Sequence, residues 1–330
     1  LFQANKVMVS SDEIASPQAG RPTLLEVDER SATRRLDNYL RKILKGVPKS
    51  HIYRIIRDGQ VRVNSGRVKP DYRLRYKDKV RIPPVRTASR DSVGVLDLSK
   101  VDLIQTLYED QSLLVVNKPP GIAVHGGTGL AGGIIDLLRA ERYADSFLEL
   151  AHRLDKDTSG CLILCKTPDC LRSLHASLRR QKESAHVYKT YHIIVVGEWE
   201  GGVHEVKAPL KKTRGNVVNR VVLSSSGSPA RTIFQPLRSI NGYTLVEVKL
   251  MTGRMHQIRV HAASVGYPVA ADRKYGNVSH NQNLAQLGIK RQLLHATRIV
   301  LQHPETDALL KVEAPFPDDF EQLMPAKPKL

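Results

Sequence analysis

Apolar residues between positions 36 and 56 recur every three or four places. Leu36, Leu40, Ile43 and Leu44 make one stripe, and Ile52, Ile55 and Ile56 make a second. That spacing predicts two amphipathic helices, the first running to Leu44 with candidate caps at Ser31 to Thr33, the second starting after Pro48 with Ser50 as its cap. Asp58-Gly59 stops the second helix. The pattern then changes to a period of two. Val61-Arg62-Val63-Asn64 reads as a strand, Ser65-Gly66 as a turn, and Val80-Arg81-Ile82 as a further strand before Pro83-Pro84.

From about residue 103 the texture changes again. Leu113 to Val116, Leu162 to Leu164, Tyr191 to Val196, Val221 to Leu223 and Tyr243 to Val248 are short β-branched runs bounded by turns, the mark of buried strands. Helical stretches lie between some of them, over Cys170 to Arg180 and over Met255 to Val265, the latter with Thr252 as candidate cap. No strict strand-helix alternation appears, so an α+β mixed sheet flanked by helices fits better than a doubly wound parallel sheet. The boundaries expected are an N-terminal extension over 1–30, a small module over 31–84, a linker over 85–102 and a large body over 103–330.

Charge sharpens this division. The 330 residues carry 51 Lys and Arg against 33 Asp and Glu, a formal +18, and residues 31 to 95 alone hold 18 basic against 5 acidic residues, or +13. A small module of helices and a hairpin with that excess fits a polyanionic partner. Its few aromatics, Tyr39, Tyr53, Tyr72 and Tyr76, favour backbone and shape contact over base-by-base stacking. No run of about 18 apolar residues occurs, and Leu1-Phe2-Gln3 onward lacks the layout of a signal peptide. A soluble, cytoplasmic protein is expected, with a monomer as the default and no membrane partner.

Three cysteines, Cys161, Cys165 and Cys170, are too few and too close for a disulfide framework and match no zinc pair; reduced, buried thiols are expected. The twelve histidines make no ligand set, and the glycines of 126–133 precede no phosphate-loop lysine. No metal and no cofactor is therefore assigned.

One segment is dense in chemistry. Ala151-His152-Arg153-Leu154-Asp155-Lys156-Asp157-Thr158-Ser159-Gly160 sets two carboxylates, three basic groups and two hydroxyls directly before a buried strand. A carboxylate there can serve as nucleophile or general base if a fixed cation keeps it ionised, because burial alone would raise its pKa. Arg153 and Lys156 would oppose the metal that an Asp155-x-Asp157 nuclease needs.

That string resembles the hallmark motif of the RluA-type pseudouridine synthases. Three further blocks agree in order: Asn117-Lys118-Pro119-Pro120-Gly121-Ile122-Ala123-Val124-His125, Tyr188-Lys189-Thr190-Tyr191, and Gly253-Arg254-Met255-His256-Gln257-Ile258-Arg259-Val260-His261, with Leu293-Leu294-His295-Ala296 fitting the tail. The N-terminal module resembles the S4 RNA-binding domain through Arg35 to Leu40, Lys49-Ser50 and Ile56 to Asn64, so the resemblance spans roughly residues 31 to 320. It is nearest the bacterial large-subunit rRNA members. The fold implied is a mixed, mainly antiparallel sheet with a central catalytic cleft and flanking helices, joined to a small α/β S4 domain. The reaction implied is isomerisation of uridine to pseudouridine in RNA, with base flipping and no cofactor.

The resemblance makes Asp155 the catalytic residue, attacking C1′ of the ribose or C6 of the uracil, or deprotonating C2′. It makes Arg259 the paired cation, with Arg254 and Arg153 as competitors, and Tyr191 the ring that stacks on uracil and relays the C5 proton. Leu294 would pack on the base, and His152, Arg153, Asn117, Lys118 and Arg254 would contact substrate. In the S4 module Arg35, Lys49, Arg54, Arg57 and Arg62 would bind RNA. The partner expected is 23S rRNA at several uridines. The alternatives are the same reaction on tRNA or other rRNA sites, or a non-catalytic RNA-binding or ribosome-assembly factor. An inactive relative would be expected to lose the aspartate, arginine or tyrosine, and this chain keeps all three.

Overall fold

The structure, a computed structural model, describes residues 22–29, 31–44, 47, 49–85, 96–126, 132–144, 146–179, 187–213 and 220–325. The side chains of Lys49 and Ser50 and the glycines of 127–129 lie outside the described residues, so the expectations placed on them are not met by any observation. The chain divides into two compact units, residues 1–94 and 95–330.

In the first unit, β1 (Thr23–Glu26) precedes α1 (Leu36–Ile43), α2 (Lys49–Arg57), β2 (Arg62–Val63) and β3 (Lys79–Ile82). The two helical stripes do what their spacing predicts: Leu36, Leu40, Ile52, Ile55 and Ile56 are buried in one core with Val63, Val80 and Ile82. Gly59 ends α2 at a φ of +69°, a left-handed turn that glycine takes without strain. The stretch expected to be a plain extension over 1–30 needs correction, because β1 lies within it and pairs antiparallel with β3, whose other edge takes β2. Val27 is buried in the same core. A short Thr-Leu-Leu-Glu run with one half-buried face is a strand by its alternation, which four residues alone are too few to announce.

The second unit begins with a 3₁₀ turn (Leu98–Leu103), followed by β4 (Gln105–Glu109), β5 (Leu113–Lys118), α3 (Ile134–Glu141), β6 (Glu149–Leu150) and β7 (Ser159–Cys165). Then come α4 (Pro168–Arg179), β8 (Val187–Val196), β9 (His204–Lys207), β10 (Leu210–Thr213), β11 (Arg220–Leu223), β12 (Arg231–Ile240) and β13 (Tyr243–Leu250). Last are α5 (Gln257–Ser264), α6 (Val278–Gln286), β14 (Leu294–Gln302), β15 (Leu309–Glu313) and α7 (Asp318–Leu323). Leu96 and Val101, from the expected linker of 85–102, pack into this unit's core, so only its middle has no described structure.

Among the described residues the main sheet has ten strands in the order β4-β5-β7-β14-β8-β13-β12-β9, with β6 on β7 and β15 on β14. Its pairings are antiparallel except β7 with β14. All seven residues of β7 are buried. A strand covered on both faces reads as a continuous apolar run. Leu162 and Leu164 face one core with α3, whereas Cys161, Ile163 and Cys165 face another with α4; all three cysteines are free and buried. At the parallel junction Gly160 has a φ of +103°, and a Cβ there would lie 2.3 Å from the Ala296 carbonyl oxygen. Only glycine lets β7 approach β14 so closely, and the segment singled out for chemistry enters the sheet at this point.

Candidate active site

Residues 151–158 connect β6 to β7, and the loop is anchored at both ends. Leu154 is buried in the main core while Asp155, next to it, keeps its carboxylate partly exposed. The Thr158 N–H donates to the Asp155 carbonyl at 3.1 Å, closing a turn. Gln292 donates to the Thr158 hydroxyl at 3.1 Å, and Arg291 to the Asp157 carbonyl at 3.2 Å. The Gly121 N–H donates to the Lys156 carbonyl at 3.0 Å.

Lys118, expected to contact substrate, completes this cradle in the structure. Its side chain is fully buried, and the amine donates to the carbonyls of Pro119, Ile122 and Lys156, each at 2.8 Å. All three donors are used, so Lys118 ties the 119–122 segment to the 151–158 loop. Burial pulls its amine down to about 7.

The cation comes from α5. Arg259 donates from Nη1 to Asp155 Oδ2 at 2.9 Å, and from Nε and Nη2 to the two oxygens of Asp272 at 2.7 and 2.8 Å. Of the three candidate arginines, the structure brings only this one to Asp155. Arg153 is exposed; Arg254, also exposed, donates to the Pro229 carbonyl. Asp272 is fully buried and accepts backbone N–H groups from Lys274 and Tyr275 as well. Burial would lift its pKa, but the Arg259 fork and those N–H groups outweigh it and hold the carboxyl below the usual range. Burial likewise opposes the charge on Arg259, and Asp272 followed by Asp155 overcomes it. The Arg259 guanidinium also lies over the Tyr275 ring at 5.2 Å.

Helix α5 starts later than its apolar pattern suggested. His256, directly before it, has a left-handed φ of +55°, so the helix begins at Gln257, and Thr252 is not its cap but donates to Gln257 Oε1 at 2.7 Å. The same oxygen accepts the Arg254 N–H, while Gln257 Nε2 donates to Arg231 and Thr232. Ala271, before Asp272, is also left-handed at +57°. Two left-handed non-glycine residues, one shortly before Arg259 and one directly before Asp272, are the kind of strain that clusters at functional sites.

Tyr191 stands on β8 opposite Val248, and Leu294 on β14 opposite Ile193. Both are buried in the core that holds Leu154. Burial, reinforced by the field of Asp155, raises the Tyr191 phenol above its ordinary value and keeps it protonated. His152 accepts the Ile163 N–H of β7 at Nε2, at 3.1 Å, and burial, aided by Lys189, lowers its pKa to about 3. Asn117 is partly buried on β5 opposite Cys161.

Asp272, His256 and Tyr275 were not anticipated. The available signal was energetic: a mostly buried arginine needs more than one partly exposed carboxylate.

On the first unit, Arg54, Arg57 and Arg62 are exposed. Arg62, Lys79 and Arg81 line a groove with Gly59, Asn64 and Ser65, and Lys79 and Arg81 were likewise not anticipated. Arg35 is partly spent on Asp37, which also accepts the Tyr53 hydroxyl at 2.6 Å.

A sheet with one parallel junction, a carboxylate presented there and a buried arginine holding it define an RNA-modifying isomerase when set beside known proteins. Residues 112–264 match the family model described as RNA pseudouridylate synthase, and residues 34–80 match that of the S4 domain. A Pasteurella multocida (strain Pm70) protein named ribosomal large subunit pseudouridine synthase C is 45% identical over 307 residues, covering 92% of this chain and 93% of its own. A Yersinia pestis protein of the same name is 45% identical over 305 residues, covering 91% and 94%. The solved structure of human RNA pseudouridylate synthase domain containing 4 shares the fold, with a TM-score of 0.54 at 24% identity, covering 70% of this chain and 97% of that one. The chain belongs to the RNA pseudouridine synthase family and carries an S4 domain. No described helix is long and apolar enough to cross a membrane.

Proposed function

We propose that this chain isomerises specific uridines to pseudouridine at several sites of large-subunit (23S) rRNA, with Asp155 as the catalytic carboxylate. The observation that carries the reading is the Asp155–Arg259 pair at 2.9 Å, set in a loop fixed from β5 and from the segment before β14. The rRNA substrate is supported by relatives named for the large subunit that match over nine-tenths of the chain. Such a substrate puts the enzyme in the cytoplasm, where we take it to act as a monomer.

The reaction rearranges the substrate's own atoms. The bond from N1 of uracil to C1′ breaks, the base turns, C5 bonds to C1′, and a proton leaves C5 while N1 regains one. Each route open to Asp155 needs it ionised, which the Arg259 guanidinium favours. Tyr191 stacks on the uracil ring and, with its phenol protonated, relays the C5 proton rather than holding a charge. Leu294 supplies the apolar wall against the flipped base. Arg153 and Arg254, exposed beside the loop and α5, meet phosphates. Arg54, Arg57 and Arg62 of the S4 unit hold folded RNA by its backbone.

The test maps pseudouridine across rRNA and tRNA in cells lacking the protein, then restores wild type or Asp155→Asn. Loss of a set of 23S sites, regained with wild type alone, is expected. Sites lost only from tRNA would move the substrate, and full restoration by Asp155→Asn would remove the catalytic assignment.

A further inference from the structure

We propose that His256 is a positioning residue for this reaction: its neutral ring directs the Nε2 proton at Oδ2 of Asp155, closing to a hydrogen bond in the RNA complex. Together with Arg259 it leaves Oδ1 as the oxygen that meets the nucleoside. The inference rests on Asp155 being the catalytic carboxylate.

The hydrogen bonds around the ring favour one tautomer. The Val221 N–H donates to the Tyr275 hydroxyl oxygen at 2.9 Å, and that hydroxyl lies 2.8 Å from His256 Nδ1. With Val221 already donating to that oxygen, we place the phenol's one proton towards Nδ1, which makes that nitrogen an acceptor. The single proton of the neutral ring is then on Nε2. Nε2 lies 3.8 Å from Asp155 Oδ2, the same oxygen that Arg259 reaches at 2.9 Å. Among the described residues no hydrogen bond reaches Oδ1. A gap of 3.8 Å is longer than a formed hydrogen bond, and catalytic contacts of this kind tighten when substrate binds.

The surroundings keep the ring neutral. Burial is the largest influence on His256, and Arg259 and Lys274 push the same way, together outweighing the opposite pull of Asp155 and Asp272. A neutral donor stabilises the carboxylate without neutralising it. The left-handed φ of +55° at His256 is costly for a non-glycine residue, and it is held here by the Tyr275 bond and by an edge-on packing of the two rings at 5.6 Å.

The experiment compares full-length wild type, His256→Asn, His256→Gln, Tyr275→Phe and Asp155→Asn on an unmodified rRNA transcript, reading single-turnover rate, RNA affinity and melting temperature. Asparagine accepts a left-handed φ but is too short to reach Asp155; glutamine can place an amide N–H near it. His256→Asn is expected to slow turnover about tenfold at unchanged RNA affinity. His256→Gln should recover most of the rate, and Tyr275→Phe, which frees the tautomer, should show a smaller loss. The proposal is overturned if His256→Asn turns over at the wild-type rate, if its defect lies in affinity alone, or if folded His256→Gln is as slow as His256→Asn. An active Asp155→Asn protein would instead overturn the underlying reading.

Discussion

Arg259 gives two hydrogen bonds to Asp272 and one to Asp155, so the arginine is fixed by a carboxylate outside the motif before it meets the one inside it. The Asp272 side chain is fully buried and that of Asp155 is 27% exposed, which divides their labour. One aims the guanidinium; the other stays reachable.

Asp272→Ala is therefore expected to cost about 3–5 kcal/mol of stability, the usual penalty for stranding a buried charge. Asp272→Asn should cost less, because the amide oxygen still accepts one bond. Both should slow single-turnover modification, since Arg259 is then free to swing. Denaturant unfolding beside rate measurements checks this, and wild-type values in both would show that Arg259 needs no second partner.

Lys118 leads to an expectation opposite to the one its place in the Asn117-Lys118-Pro119 block invites. A contact to substrate would cost RNA affinity when removed. A cradle residue costs stability instead. Lys118→Met orphans the Pro119 and Ile122 carbonyls, which now accept bonds at 2.8 Å, and leaves the Lys156 carbonyl with the Gly121 N–H alone, a loss of about 2 kcal/mol or more at roughly 1 kcal/mol for each orphaned group, with RNA affinity unchanged. A stable variant that binds RNA poorly would restore the substrate role.

What was legible beforehand follows from how local each signal is. Helices α1 and α2 and strands β5, β7, β8 and β13 were readable because their apolar period is unbroken over a few residues. Strand β12 was not: Pro236 falls within it, and the register slips between Pro236 and Arg238 where the bulge accommodates the ring. Strand β14 is masked in the same way by the shift between His295 and Arg298. At the site, Asp155 announced itself through polar density beside a core. Asp272 lies in a turn thirteen residues beyond Arg259 with no pattern of its own, and Tyr275 and His256 gain meaning only when the chain folds back. The partners of Lys118 were not legible, because sequence shows a charge and not the carbonyls that accept from it.

Salt dependence tests the S4 unit. Arg57 and Arg62 are exposed on it, and neither is part of an ion pair among the described residues. If both meet phosphates, Arg57→Gln with Arg62→Gln should flatten the slope of log affinity against log salt by about 0.7–0.9 for each phosphate no longer neutralised. The single-turnover rate at saturating enzyme should not change. Binding measured from low to moderate salt gives the slope, and an unaltered slope would place the RNA backbone elsewhere on the protein.

Acid should weaken the fold through His295. Its ring is fully buried where β14 meets β7; Nδ1 lies 2.9 Å from the Ser159 hydroxyl, and burial pulls its pKa to about 4. In the unfolded chain the same ring titrates near 6.5. Between those values the unfolded state binds a proton that the folded state refuses, so the stability contributed is complete above about pH 6.5 and falls as pH drops towards 4. The slope from this one group approaches about 1.4 kcal/mol per pH unit. His295→Gln, which can still bond to Ser159 but does not titrate, should flatten the curve of unfolding free energy against pH across that window while remaining less stable than wild type at pH 7. Because His152, His192 and His261, whose pKa values burial also lowers, contribute in the same direction, the decisive quantity is the difference between the two curves. Parallel curves from pH 7 to 4.5 would mean that His295 takes up its proton within the folded protein.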